Sequence, residues 1–534
     1  MSWRSTRASG RGEDGALHRV AVADLGSNSW RLVVFSYGRT QSGPWWKRTD
    51  ELYETVRIGE GLAATDRLSE PAIARGLETL DVFARFCRAA RIGAGKTGSI
   101  HVVATSAIRD ADNGAAFLTR AQTETGLEIE VLGARDEAWY GYVAAVNTTT
   151  LTDGAVLDLG GGSLQLISVA DRRARELTSF PLGAVRVTER FLADDPTRPP
   201  KRKELARVRD HARELLSDGA PWLATLEPRP ARLVGLGGAA RNLAAAVAAA
   251  DGALDLGVQG FVLTGERLSE LVATLATLPA TERGTVPGIK PGRGDIILAA
   301  ALVLETVVQV GGFEGIEVTE AGLREGVFLA RTLLDHEDPL IENVRAAAVN
   351  NLAVQYEADL PHVRHVAHLA LQMFDSLTAA GLIAAGEDER ELLWAAAMLH
   401  DVGMTISYDD HHKHSRYLIE SAELPGFDPR ERALIGQMTR YHRKGVPKLG
   451  AIEPLTRQPD GALLDRCATI LRLAEHLERG RDQSVSDVRL HTNGDGVDLH
   501  LHAAGDLTLP RWSVERYGDD EAFERVFGRR LLID

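Results

Sequence analysis

Two short acidic, glycine-rich turns constrain this chain most: Asp24-Leu25-Gly26-Ser27-Asn28-Ser29 and Asp158-Leu159-Gly160-Gly161-Gly162-Ser163. Each follows an apolar run and leads into another, Val20 to Ala23 with Leu32 to Phe35, and Ala155 to Leu157 with Leu164 to Val169. That pattern predicts paired strands joined by a polar loop. Glycine lets backbone N–H groups turn toward an anion, and Ser and Asn add hydroxyl and amide donors. An aspartate beside such a loop repels a bare phosphate, so it implies a bridging divalent cation or a water held for attack. One phosphate-handling device used twice points to phosphate chemistry and to a distant internal duplication.

The 534 residues exceed what one core can hold, and length alone predicts about three to four domains. Lys and Arg number 61 against 75 Asp and Glu, a formal charge of −14 that argues against general binding to nucleic acid or anionic membranes. A polyanionic substrate must therefore meet a local basic patch. Cys87 and Cys467 lie far apart in apolar helical patterns and read as free buried thiols, which fits a reducing cytoplasm. Residues 1–17 carry Arg4, Arg7 and Arg11 among Gly and Ser without a signal-peptide pattern, and are expected to be a disordered tail. No run of eighteen apolar residues occurs, and no membrane span is expected.

Strand-like and helix-like runs alternate over 18–147 and again over 148–334, which predicts two α/β subdomains. Asp194 to Lys203 and Ala280 to Arg293 read as exposed loops, and Asp335 to Pro339 as a linker. From 340 to 483 the periodicity is helical almost throughout, a separate all-α domain. Residues 484–534 read as a hairpin turning at Asn493-Gly494-Asp495-Gly496, followed by a short helix, a small α+β unit.

Gly95-Lys96-Thr97 ends like a P-loop, but Ala90 stands where the pattern needs glycine, and it precedes a strand instead of following one; it reads as a turn. Gly235-Leu236-Gly237-Gly238, between a strand and a helix, is either a second anion site or a tight turn. Asp136-Glu137 opens a helix, where the dipole favours a carboxylate; an N-terminal capping pair is the plainer reading.

Together these segments resemble one family. Ala23 to Ser29 with Arg31-Leu32, Ala104 to Gly114, Asp136-Glu137-Ala138, Asp158 to Ser163, Pro181 to Arg186, Gly235 to Leu243 and Gly322 to Gly326 resemble, in order and approximate spacing, the exopolyphosphatase/guanosine pentaphosphate phosphohydrolase (Ppx/GppA) family. The resemblance implies a duplicated actin-like ATPase fold (ASKHA, ribonuclease H-like), with the active site in the cleft between its halves. It implies that Glu137 orients or deprotonates the attacking water and that Asp158, with Asp24, handles Mg²⁺ or Mn²⁺. Ser27, Asn28, Ser29, Arg109, Gly160, Gly161, Gly162, Ser163, Gly237 and Gly238 would contact phosphate. A structural role for Asp24 in its hairpin stays open. Gln165 stands where the family usually has glutamate, losing a charge and a base while keeping an amide oxygen; slower hydrolysis or altered metal dependence is expected.

Half of the sixteen histidines fall between His362 and His442. His365, His400-Asp401 and Glu475 follow an order that resembles the HD phosphohydrolase superfamily, with Glu475 in place of its final Asp. His414 and His442 would extend the site toward two metals. Two readings stand: a second divalent-metal site, or a packed, non-catalytic remnant. Lys413, Arg416, Arg440, Arg443, Lys444 and Lys448 either line a path for long polyphosphate or are solvated helix faces. The expected activity is release of terminal phosphate from inorganic polyphosphate by a cytoplasmic homodimer. The alternatives are guanosine pentaphosphate hydrolysis, nucleotide hydrolysis in the HD-like domain, and a polyphosphate- or alarmone-binding regulator.

Overall fold

β1 (His18–Leu25) alternates between two cores, with Val20 and Val22 packed on one face and Ala21, Ala23 and Leu25 on the other. β2 (Trp30–Thr40) repeats the division, sending Leu32 and Val34 one way and Val33 and Phe35 the other. A strand apolar on both faces needs cover on both sides, which forces a central sheet between layers. The computed structural model describes residues 17–40, 43–93, 98–192, 195–252, 256–334, 337–384, 386–494, 496–518 and 520–533. Most of the N-terminal tail and all of Gly95-Lys96-Thr97 therefore lie outside the described residues. The chain divides into two compact units, one running to Leu243 and resuming over Val262–Ile341, the other comprising Ala244–Phe261 and the residues from Glu342 onward.

The first unit holds two sheets. One has the order β3-β2-β1-β4-β5, with β3 at Gly43–Glu54, β4 at Gly98–Ala104 and β5 at Ile129–Val131. The other has β6 (Gly154–Leu159), β7 (Leu164–Ala170), β8 (Arg173–Phe180), β9 (Arg232–Leu236), β10 (Phe261–Thr264) and β11 (Gly315–Val318), in the order β10-β11-β9-β6-β7-β8. Read from β8, the second sheet repeats the first and adds β10. β1 is antiparallel to β2 and parallel to β4, and β6 is antiparallel to β7 and parallel to β9. Each half thus opens with a hairpin whose turn is one of the two glycine-rich loops.

One hydrophobic core joins the halves, with Val20, Val22 and Val103 from the first sheet and Val156, Ile167, Val234 and Leu236 from the second. Residues of the helices Ala134–Val146 and Leu323–Phe328 fill it. Arg331 fixes this layer by donating to the Tyr140 hydroxyl at 2.6 Å and forking onto Glu130 at 2.7 and 2.9 Å. Among the described residues the only stretch long and apolar enough to cross a bilayer, Pro291–Gly311, is 83% buried within this unit, which makes it a core helix.

The second unit is built on helices, including Val344–Gln355, Leu360–Ala379, Glu387–Leu399, His411–Ser421, Pro429–Tyr441 and Asp460–Leu477, around one core. Their starts are written in the sequence. Asp359 caps the His362 N–H, and Asp428 and Glu431 form a capping box, in both cases with Pro in the first turn. The end of the chain forms a three-stranded sheet of β12 (Val485–Asn493), β13 (Gly496–Ala503) and β14 (Arg530–Ile533) with two short helices, Thr508–Tyr517 and Asp520–Phe527.

Gly237, where β9 turns into the helix Gly237–Ala250, has φ +91°, and a Cβ there would lie 2.8 Å from both the Leu159 carbonyl and Asp158 Oδ1. Gly237→Ala is expected to cost about 1–3 kcal/mol through backbone strain and that collision, read as a lower urea midpoint with an unchanged m-value.

Candidate active site

The two glycine loops meet. A Cβ on Gly162 would lie 2.3 Å from Ser106 Oγ and 2.7 Å from Ser27 Oγ, so only glycine permits the approach. Behind the second loop, the Ala184 and Val185 N–H groups donate to the Gly160 and Gly161 carbonyls at 3.0 and 2.9 Å. Behind the first, Arg57 N–H donates to the Asn28 carbonyl at 2.8 Å and Gly59 N–H to the Ser27 carbonyl at 3.0 Å. The cleft between them is lined by Asp24, Ser27, Asn28, Ser29, Glu137, Asp158, Gly160 to Ser163, Gln165, Gly237 and Gly238. The segments around Asp24, Glu137, Asp158 and Gly237 stand far apart in sequence, yet the repeated hairpin brings them to one place.

Glu137 sits in the first turn of its helix but makes no cap. Its Oε2 accepts from Arg109 Nη1 at 2.9 Å, and its Oε1 faces the Ser163 hydroxyl at 3.5 Å. Burial pushes its pKa up to about 7; Arg109 opposes this, while the Asp158 and Asp24 carboxylates add to it. Arg109 is committed to this task, since it also donates to the Leu132 carbonyl at 2.9 Å and pairs with Asp110 at 3.3 Å. Its guanidinium thus grips a carboxylate that lines the cleft.

Asp24 and Asp158 occupy equivalent places at the ends of β1 and β6. Burial raises both, Asp158 to about 6, and Asp24 raises Asp158 further. Among the described residues, no hydrogen bond or ion pair engages either carboxylate. Two neighbouring, unpaired, desolvated carboxylates are the hard oxygen donors a magnesium-sized dication takes. Across the hairpins, Asp24 pairs in register with Arg31 and Asp158 with Gln165. Gln165 is buried, and its amide donates to Ser163 Oγ at 2.8 Å and to Ser179 Oγ at 3.4 Å. It thereby holds the hydroxyl that faces Glu137.

Sequence reasoning assigned no role to the cationic wall. Arg31, Arg241, Arg293 and Arg324 all line the cleft. Burial, then Arg324 and Arg31, depress Arg241 to about 10. Arg324 is 4% exposed, and its Nε and Nη1 have no hydrogen-bond partner; Asn28 Nδ2 is likewise buried without one. Arg31, Arg241 and Arg324 stand inside the same ordered motifs as the glycines and acids of the cleft, and only their burial against it distinguishes them from surface arginines. Arg293 ends a segment read as an exposed loop, yet its guanidinium fills the space a Gly238 side chain would take.

The second unit gathers its own cluster. His362 Nε2 lies 3.2 Å from Glu475 and 3.8 Å from Asp401, His400 Nε2 3.2 Å from Glu475 and 3.6 Å from Asp401, and His411 Nε2 3.2 Å from Asp401. His400, Asp401 and Glu475 are where the sequence put them, but His365 is not. Its Nε2 lies 2.7 Å from the Val485 carbonyl, at the edge toward the small sheet. The buried stripe Val366, Leu369, Ala370, Met373 continues back through the helix to His362. His411 takes the place expected of His414, and His442 joins it. Of the basic residues, Lys413 pairs with Asp410, Arg416 with Glu420, and Arg440 and Arg443 lie over the Tyr441 and Tyr408 rings.

A duplicated α/β fold whose hairpin loops confront a buried glutamate, two free aspartates and an arginine wall is that of a phosphoanhydride hydrolase. A family model described as the Ppx/GppA phosphatase family matches residues 48–335, and one described as Ppx/GppA phosphatase, domain III, matches residues 344–509. The first alone spans more than half of the sequence, and the chain belongs to the Ppx/GppA phosphatase family. It is similar to the guanosine-5'-triphosphate,3'-diphosphate pyrophosphatases of Vibrio vulnificus, 27% identical over 90% of this chain and 92% of that one, and of Vibrio parahaemolyticus, 28% identical over 93% and 95%. The crystal structure of an exopolyphosphatase from Cytophaga hutchinsonii shares the fold, with a TM-score of 0.51 at 22% identity over 59% of this chain and 97% of that one.

Gln165→Glu is expected to place a further acid beside Asp158 and to remove the hydrogen bond donated to Ser163. The acid limb of the pH–rate profile should move up, and half-saturation by Mg²⁺ should fall to a lower concentration. An unchanged profile and metal response would remove Gln165 from the site's electrostatics.

Proposed function

We propose that the chain hydrolyses terminal phosphoanhydride bonds, releasing orthophosphate from inorganic polyphosphate. The observation that carries the reading is Glu137, 9% exposed and held by Arg109 at the meeting of two anion-cradling loops. Water attacks the terminal phosphorus, a P–O bond to water forms as the bridging P–O bond breaks, and the leaving phosphate oxygen keeps the electron pair. Glu137 accepts the proton. Arg109 keeps that carboxylate turned toward the cleft, and Ser163, held by Gln165, faces its other oxygen. Asp24 and Asp158 would hold Mg²⁺, which supplies charge neutralisation on the phosphate oxygens. Arg31, Arg241, Arg293 and Arg324 receive the negative chain. Catalysis here is mostly positioning and electrostatics.

Polyphosphate is preferred because four arginines, Arg31, Arg241, Arg293 and Arg324, line the cleft, while Tyr53, beside Ser29, already has its ring under the Arg31 guanidinium at 4.6 Å. Guanosine pentaphosphate is the second reading, favoured by the names of the relatives that match over more than nine-tenths of their length. Phosphate release from the two substrates, compared by kcat/KM, decides between them, with polyphosphate expected to be preferred.

Glu137→Gln is expected to lower kcat by about 10²–10⁴-fold on either substrate while leaving substrate binding within a few-fold. Tight binding with release independent of Glu137 would instead mark a binding regulator. Because burial lifts Glu137 to about 7, the base form is lost as pH falls through that value. In the parent, kcat/KM should therefore drop with unit slope below about pH 7, and the residual activity of Glu137→Gln should lack that limb.

A further inference from the structure

Three histidines of the second unit use the same device. His400 Nδ1 lies 2.7 Å from the Ala397 carbonyl, His411 Nδ1 2.9 Å from the Tyr408 carbonyl, and His442 Nδ1 2.7 Å from the Thr439 carbonyl. In each case the acceptor is the carbonyl three residues upstream. A carbonyl only accepts, so each Nδ1 carries the proton and each neutral ring presents a bare Nε2 lone pair. Those lone pairs point at one another and at carboxylates. His411 Nε2 faces His442 Nε2 at 3.2 Å, and His400 Nε2 faces Glu475 Oε2 at 3.2 Å. Acceptor against acceptor at hydrogen-bond distance is repulsive unless a proton or a metal ion sits between them; a proton serves one such pair, whereas one metal ion takes several of these lone pairs at once.

The atoms form two sets that share one residue. His362, His400 and Asp401 each offer a ligand atom, all within 4.8 Å of one another, and Asp401, His411 and His442 do the same. Ligands about 2.0–2.2 Å from a metal at tetrahedral or octahedral angles lie about 3–3.5 Å apart, close to the 3.2–3.8 Å separations here. All five residues are at least nine-tenths buried, as is Glu475, which faces both His362 and His400 at 3.2 Å. Arg481 donates to Asp401 Oδ2 at 2.6 Å, fixing the carboxylate's orientation with one lone pair of that oxygen. Imidazole anchored through Nδ1 to a backbone carbonyl is the usual support of a metal-ligating histidine.

We propose that the second unit holds a two-metal centre of divalent transition ions, Mn²⁺, Fe²⁺ or Zn²⁺. Asp401 bridges them. His362, His400 and Glu475 complete one side, and His411 and His442 the other. The imidazole-rich donor set selects these ions over Mg²⁺, which separates this centre chemically from the aspartates of the cleft.

The test is metal content of the full-length chain, purified without metal-affinity resin, reconstituted anaerobically with Mn²⁺, Fe²⁺ or Zn²⁺ in turn, desalted and measured by plasma mass spectrometry. With its preferred ion, the parent is expected to retain about two ions per chain. The same measurement in an Asp158→Asn background, which weakens the cleft's own cation site, should still give about two ions per chain and so assigns them to the second unit. His442→Ala should lose about half, and Asp401→Ala nearly all, with circular dichroism confirming that each variant folds. One ion or none in the parent overturns the proposal whatever the variants do, and so does an Asp401→Ala chain that folds and keeps the parent's content.

Discussion

Everything in the first unit turns on the confinement of three carboxylates, Asp24, Asp158 and Glu137, within one desolvated cleft. Burial alone raises each, and proximity couples them, since Asp158 and Asp24 both raise Glu137. Such an arrangement is unfavourable in isolation. It is held because the hairpins that carry the aspartates grow out of strands buried on both faces, whose packing outweighs the electrostatic cost many times over. The arginine wall is the complementary strain: burial and the neighbouring Arg324 depress Arg31, and burial, Arg324 and Arg31 depress Arg241. A cation among the acids and a polyanion along the arginines relieve both at once, so binding energy enters the site where charge moves during the reaction.

The halves of the duplication divide this work unequally. Seven residues after its aspartate, and in register with it, the first hairpin carries Arg31 and the second Gln165. The same backbone position therefore presents a cation on one wall and a neutral amide on the other. Arg31 is tied to Glu51 at 2.7 Å and faces Asp24 and Arg324, which makes the first hairpin part of the anion-receiving wall. Gln165 spends its N–H groups on Ser163 and Ser179, which makes the second hairpin part of the support beneath Glu137. A glutamate at this position has no N–H to donate and would meet the Ser163 hydroxyl as an acceptor instead. The amide thus reverses the direction of a hydrogen bond next to the base, a change of wiring as well as of charge.

The paired loops, the α/β alternation and the helical character of residues 344–477 were legible in the sequence because each is a local pattern: glycine beside acid, apolar alternation, a cap followed by a 3.6-residue period. Asp24 and Asp158 were legible for the same reason, through the loops they border, whereas Glu137 read locally as a capping residue and was singled out only by the resemblance. What the sequence hid is pairing at a distance. Arg109 lies twenty-eight residues from Glu137, and nothing local says that its guanidinium turns to that carboxylate. Arg293 looked like part of a solvated Pro/Gly-rich loop because the space its guanidinium fills is left open by Gly238, in a different element. His362 and His365 are both plausible on a helical wheel, and the choice between them is made by which face the bundle covers.

Histidine placement in the second unit obeys a rule that the sequence contains but does not announce. His400, His411 and His442 each bond through Nδ1 to the carbonyl three residues before, and each stands at or beside a helix end: the first after Glu387–Leu399, the second opening His411–Ser421, the third after Pro429–Tyr441. Carbonyls there lack at least part of the helical hydrogen-bond pattern, so the side chain satisfies a backbone group and is itself locked in one tautomer. Local backbone chemistry thereby sets the direction of a lone pair. Three such locks build a site around one aspartate from positions up to forty-two residues apart, and this is why dense histidine alone suggested a ligand cluster while its membership required the fold.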